Sequence, residues 1–256
     1  MRQLRDIHKA VQVSANAAER IERSLASAVL RGDYPPGSRL PTLRELAGRF
    51  GANVATVQRA IARLEMSGLV TARQGSGIRV NAADTHADLA LVPARIEALS
   101  HDPARAVAVL GDFLEVRRVL AARLIVRHRA ELERNASALA AAATRLAGVP
   151  TNDVQALVDA DIAFARAVLV IAGNSIALAV LNTAARVLRE VPAVAEAMYS
   201  DPRLNVRSMT EILAAFGDHT DDGPLGDVVE ASIQRVDEHT LARFEALLIA
   251  DHAEAP

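Results

Sequence analysis

The stretch PPGSRLPTLRELAGRFGANVATVQRAIARLEMSGLVTARQGSGIRV, residues 35–80, decides how the rest of the chain is read. Thr42 followed three residues later by Glu45 is a capping box, which fixes the start of a helix. Leu43, Leu46 and Ala47 form its apolar stripe, and Phe50 and Gly51 close it. After the turn Gly51-Ala52-Asn53, Asn53 is placed to cap a second helix. In that helix Val57, Ala60, Ile61 and Leu64 recur at i, i+3, i+4 and i+7, one face turned to a small core. Its other side carries Ala55, Gln58, Arg59 and Arg63, with Thr56 at the flank. Residues 69–72 and 78–80 then read as strands around the tip Gln74-Gly75-Ser76-Gly77, whose glycines permit a tight turn. Helix, turn, helix and hairpin in this order spell a winged helix-turn-helix. Its polar, cationic helix face suits a major groove, where Gln reads adenine and Arg reads guanine, and the small tip suits a phosphate backbone.

Outward from this core, residues 17–30 read as a preceding helix, with Ile21, Leu25, Val29 and Leu30 at helical spacing and Arg31-Gly32 ending it. Residues 1–16 read as a short arm or helix. The segment NAADTHA, 81–87, is small and polar, and the pattern changes after it, so a domain linker is placed at 81–88. From Leu89 onward the spacing predicts helices over 89–100, 103–130, 133–147, 151–172, 174–196, 203–217 and 224–250, with Pro192 kinking or shortening the fifth. The expected fold is mainly α: a winged helix-turn-helix over 1–80 with a small hairpin wing, then an all-α bundle of six or seven helices over 89–256.

Bulk properties agree with this division. At 256 residues and 51% hydrophobic, the chain is long enough for two cored domains. Residues 1–80 hold 13 Lys or Arg and 6 Asp or Glu, a balance of +7 that leaves −9 for the remainder, so cations gather on the part that would touch DNA. With no cysteine, disulfides and thiolate metal sites are excluded. The N-terminus lacks an apolar signal region and no uncharged apolar run reaches about eighteen residues, so a cytoplasmic protein with no membrane partner is expected. Hydrolase elbows, zinc-protease helices, phosphate-binding Gly-Lys loops and cysteine nucleophiles are all missing from the sequence, so no enzyme is expected.

The segments GDYPPGSRLPTLRELA, Thr56-Val57 and GLVTARQGSG together resemble the DNA-binding domain of the GntR family of bacterial transcription regulators, over roughly residues 17 to 80. The resemblance implies that Arg44 contacts phosphate or base at the start of the second helix and that Gln74, Gly75, Ser76 and Gly77 enter a minor groove. With Asn53, Thr56, Gln58 and Arg59 on the recognition helix, these are the candidate DNA-binding residues. Where the commonest pattern of one subfamily has Ser-Arg-Thr-x-Val-Arg, this chain has Asn53 to Gln58, and both arginines are gone. That subfamily's usual operator is therefore not assigned.

FLEVRRVL (113–120), DIAFARAVLVIAGN (161–174) and the last helix are similar to the effector-binding domain of that FadR subfamily. Many of its members hold a divalent metal through one Asp and three His. Asp161 is present, but Ala165 and Met209 stand where two of the histidines would be and only His239 approximates the last, so no metal or other cofactor is expected. The loss points, by resemblance, to the metal-free branch that senses fatty acyl-coenzyme A. Arg117 shares a face with Phe113, Leu114, Leu120, Ala121 and Leu124, and a buried guanidinium needs a partner: a carboxylate ligand, or an internal acid such as Asp161. Arg166 is either a pocket residue or a snorkelling one, and Asn174 either a ligand contact or a helix cap. Asp161, Arg117, Arg166 and Asn174 are the candidate effector-binding residues. The expected whole is a homodimer on a palindromic operator in double-stranded DNA, a repressor released by a small carboxylate or acyl-coenzyme A effector. The alternatives are a metal-dependent organic-acid sensor and an all-helical enzyme carrying a DNA-binding domain.

Overall fold

A computed structural model describes residues 2–73, 75–216 and 222–254, with side chains described over 17–73, 75–216 and 225–253. Two compact units divide between Leu99 and Ser100.

The first unit opens with α1 (Arg2–Arg31), a single helix that joins the segment expected as a short arm or helix to the helix expected after it. α2 (Leu43–Phe50) and α3 (Val54–Met66) follow, then the antiparallel pair β1 (Val70–Arg73) and β2 (Gly77–Val80), with Val70 opposite Val80 and Arg73 opposite Gly77. Leu40 donates its backbone N–H to Ile78 and Val80 donates to Ser38, so the segment before α2 is laced to the hairpin. Ile21, Leu25 and Val29 of α1 bury against Leu46, Val57, Ile61 and Leu64, and Leu69, Ile78 and Val80 close the core from the hairpin side.

The unit does not stop at Val80. The residues expected as a linker form α4 (Ala83–His86), followed by a 3-10 turn over Leu89–Leu91 and by α5 (Val92–Ala98). Ala83, Ala87, Leu91, Ala94 and Ala98 pack on the winged core, so small residues that look like linker composition serve close packing instead. Two hydrogen bonds fasten the turn: Asp88 N–H to the Ser67 carbonyl at 3.1 Å and Asn81 Nδ2 to the Gly68 carbonyl at 2.9 Å. Gly68 makes this possible. Its φ is +79°, and a Cβ there would lie 1.9 Å from the His86 carbonyl oxygen.

The second unit is all helix among its described residues: α6 (Pro103–Arg127), α7 (Arg129–Arg134), α8 (Ala136–Ala147), α9 (Val154–Ile171), α10 (Ser175–Glu190), α11 (Pro192–Met198), α12 (Pro202–Phe216) and α13 (Asp222–Glu254). α13 packs along α6, α11 and α12, and α9 lies between α8 and α10. Pro192 heads α11 and so splits the fifth predicted helix, as its missing N–H requires. The breaks at His128 and Asn135 have no Gly or Pro to announce them; both residues sit near φ −109°, ψ 23° and φ −108°, ψ 12°. No described helix is long and apolar enough to cross a membrane.

Replacing Gly68 by Ala sets a left-handed backbone and a carbonyl clash against one methyl, so Gly68→Ala is expected to cost at least about 2 kcal/mol in urea unfolding. Gly48→Ala, whose added methyl meets nothing within 4 Å, is the matched control expected to leave stability unchanged or raised.

Candidate nucleic-acid interface and effector cavity

The capping box is present at both its bonds. Glu45 N–H donates to Thr42 Oγ1 at 3.3 Å, and Thr42 N–H donates to Glu45 Oε2 at 2.7 Å. The Thr42 N–H bond first, and then the bond that Thr42 Oγ1 donates to the same Oε2 at 2.8 Å, hold the Glu45 carboxyl below its ordinary value. Arg44 is exposed in the first turn of α2. Asn53 caps α3 by accepting the Thr56 N–H at 2.8 Å, and its side chain is exposed with those of Gln58 and Arg59.

Thr56 departs from expectation: it is buried, on the same stripe as Ala60, one turn away. Its hydroxyl accepts from Arg59 Nη2 at 3.3 Å, so it orients a cation rather than offering itself to a groove. Arg63 turns back to α1, 3.1 Å from Glu22. At the wing, Gly75 and Gly77 both take φ +79° and flank exposed Ser76; Gln74 lies outside the described residues. Sequence reasoning passed over Arg39, Arg73 and Arg79, three exposed cations on and beside the hairpin. The signal was available, since Arg79 alternates with buried Ile78 and Val80.

The second unit holds a partly open cavity of about 140 Å³ between α6, α9, α10, α11, α12 and α13. Its walls are apolar, with Leu120, Phe164, Val168, Leu181, Met209 and Ile233 among them, and its polar groups are Arg117, Asp161, Asn205 and Ser208. Asp161 Oδ2 accepts from Tyr199 Oη at 2.8 Å and from Asn205 Nδ2 at 3.3 Å. Burial raises the Asp161 carboxyl above its usual value against the opposing pull of the Tyr199 bond, the Arg117 charge and the Asn205 bond. Burial, then the charge and bond of Asp161, push the Tyr199 hydroxyl well above a tyrosine's ordinary value.

Arg117 reaches this cavity, but its partner is not Asp161. Its Nη2 donates to Asp237 Oδ1, and Arg118 Nη1 donates to Asp237 Oδ2 at 3.0 Å. Asp237 is 1% exposed on α13, and burial raises its carboxyl despite the two guanidiniums. Of the four candidate effector residues only Arg117 and Asp161 meet at the cavity. Arg166 is exposed and donates to Asn182 Oδ1 at 3.0 Å; five residues past Asp161 is roughly 140° round the helix, away from the lining. Asn174 accepts the Ala177 N–H at 2.9 Å and caps α10. Tyr199, Asn205, Ser208 and Asp237 were missed, being separated from Asp161 and Arg117 by 38 residues or more.

The metal set of the resemblance does not fit here. Ala165 and Met209 line the cavity without a hard donor, and His239 Nε2 pairs with Ser200 Oγ at 2.8 Å. A cation site that the sequence offers at Asp218, His219, Asp221 and Asp222 falls mostly on residues 217–221, which lie outside the described residues. A volume of about 140 Å³ is the size that admits a benzene-like molecule.

Residues 17–80 match the family described as bacterial regulatory proteins, gntR family. Over 102 residues the chain is 38% identical to an uncharacterised HTH-type transcriptional regulator of Mycobacterium tuberculosis, covering 40% of each. It is 28% identical over 165 residues to the HTH-type transcriptional repressor NanR of Klebsiella aerogenes, covering 63% of this chain and 61% of that one. Against NanR of Edwardsiella tarda it is 26% identical over 215 residues, covering 82% and 80%. The chain thus spans 40% of the length of the first of these relatives, and 31% of the regulator Mce2R of Mycobacterium tuberculosis. The solved structure of Lar, said to control the agr system of Listeria monocytogenes, shares the fold at a TM-score of 0.55 and 16% identity, over 90% of this chain and 97% of that one.

A carboxyl whose folded value is raised contributes its full share of stability below its ordinary value of 3.8 and loses it as pH rises through the raised value. Asp161→Asn removes that loss while keeping an acceptor for Tyr199. Urea unfolding across pH 4 to pH 7 is expected to show the variant gaining on the wild type as pH rises.

Proposed function

We propose, taking residues 17–80 as a GntR-family DNA-binding domain, that the chain is a DNA-binding transcription regulator whose helical unit senses a small molecule. The observation that carries the reading is the exposed row of Asn53, Gln58 and Arg59 on a properly capped α3, with exposed Arg44 on α2 and a glycine-turned wing over residues 75–77. One recognition helix reads only a few bases, so two copies of the chain on a palindromic operator supply the rest of the specificity. The homodimer belongs to this proposal, as does the FadR-type assignment of the second unit.

The cavity is walled by segments of α6, α9, α10, α11, α12 and α13. A ligand with different affinity for two packings of those helices shifts the balance between them, and this is how an effector acts on DNA binding. The relatives named NanR are transcriptional repressors, and we assign this chain the same sense, with effector binding releasing DNA. The effector is a molecule of the cavity's own size.

Fluorescence anisotropy with a palindromic duplex from upstream of the chain's own gene tests the reading. Binding is expected to weaken steeply with salt. Arg44→Ala is expected to weaken it about equally on all sequences and to reduce the salt slope by about one, whereas Gln58→Ala loses roughly 1–3 kcal/mol of discrimination at one base position. Equal affinity for the palindrome and a scrambled duplex of the same length would remove the proposal.

A further inference from the structure

The first turn of α3 presents apolar groups to the outside. The Asn53 cap fixes Val54 as the first residue of the helix, and within that turn Thr56 and Val57 are buried. The outward residues left are Val54 and Ala55, and the turn contains no charged side chain. Val54 heads the row that continues with Val57 and Ile61, at i, i+3 and i+7, but the core ends before it: Ile61 is 4% exposed and Val54 41%. Its isopropyl group therefore lies in the open at the start of the helix. Exposed Gln58 follows one turn later on nearly the same line, and exposed Ala55 stands at its side.

In a helix that enters a major groove, the N-terminal residues are the ones that meet base edges. Base pairs show hydrogen-bond donors and acceptors there, and the apolar group among them is the C5 methyl of thymine. A valine set against N7 and O6 of guanine takes water from both acceptors and returns no hydrogen bond, so their desolvation goes uncompensated. Against the methyl it forfeits no hydrogen bond and removes apolar surface from water.

We propose that Val54, with Ala55 beside it, reads the C5 methyl of a thymine and so selects DNA sites with thymine at a fixed step from the base that Gln58 contacts. This rests on the reading of residues 17–80 as a DNA-binding domain and names the base its first turn takes. Four helical residues advance about 6 Å, which places the thymine within about two base pairs of the one met by Gln58.

The full-length protein is first used to enrich duplexes from a pool with a randomised centre. Each thymine of the enriched site is then replaced singly by deoxyuridine, which pairs identically and lacks only the C5 methyl, and affinity is read by fluorescence anisotropy. The wild type is expected to lose about fourfold at one thymine of the site, as removal of one buried methyl gives, and little at the others. Val54→Ser is expected to bind the thymine and uracil duplexes equally at that position while keeping the base preference set by Gln58. Val54→Ile, which keeps an apolar branch, is expected to retain the fourfold difference. No thymine at which uracil weakens binding overturns the proposal. So does Val54→Ser weakening every duplex alike with the fourfold difference intact, which is the signature of a packing role. A pool from which no sequence is enriched overturns the DNA-binding reading itself, whereas enrichment without methyl sensitivity overturns the thymine assignment alone.

Discussion

The second unit is built around the burial of one carboxylate. Asp237 sits on α13 with 1% of its surface exposed, and its two oxygens are held by consecutive arginines, Arg117 and Arg118, on α6. Consecutive residues on a helix point about 100° apart, so both guanidiniums reach one acid only if α6 and α13 lie closely side by side in a single register. The interaction is costly to form, since burial lifts the acid's proton affinity even with two cations beside it. What it provides is specificity of register for the longest helix pairing in the unit, one that apolar contacts between Ala-, Leu- and Val-rich faces define loosely.

The cavity follows from that register. With Arg117 pulled toward Asp237, Asp161 across the cavity on α9 is satisfied instead by Tyr199 and Asn205. The polar cluster is therefore two linked groups, an ion-paired one around Asp237 and a hydrogen-bonded one around Asp161, with apolar walls beyond. A pocket of this composition orients a ligand by a few polar contacts and binds it by surface complementarity. The same arrangement explains why the metal set of the resembling subfamily has no counterpart: Ala165 and Met209 extend the apolar wall where donors would stand.

In the first unit the governing constraint is steric. Gly68 carries a left-handed backbone at the end of α3, and its missing side chain lets the His86 carbonyl approach where a Cβ would collide. That contact brings α4 and α5 onto the winged core, so the residues that leave the wing are part of the domain's packing. α3 is held in the same economical manner, by the Asn53 cap at its start and by Thr56 steadying Arg59 from within.

The sequence alone determined whatever depends on short-range periodicity. The Thr42–Glu45 capping box, the Asn53 cap, the inward row from Val57 to Leu64, the hairpin and the split at Pro192 are each written within a few residues, and local backbone chemistry suffices to decide them. Thr56 was misplaced because it borders the apolar stripe, where sequence spacing alone cannot say which side a flank falls on. Only the tertiary structure decided what long-range contact controls. Asp237 lies 120 residues from Arg117, Tyr199 lies 38 from Asp161, and Ala83 and Ala87 have a linker's composition until a core is placed against them. Pairing of buried polar groups and close packing of small residues depend on which surfaces meet, and that is settled by the folded arrangement of whole helices.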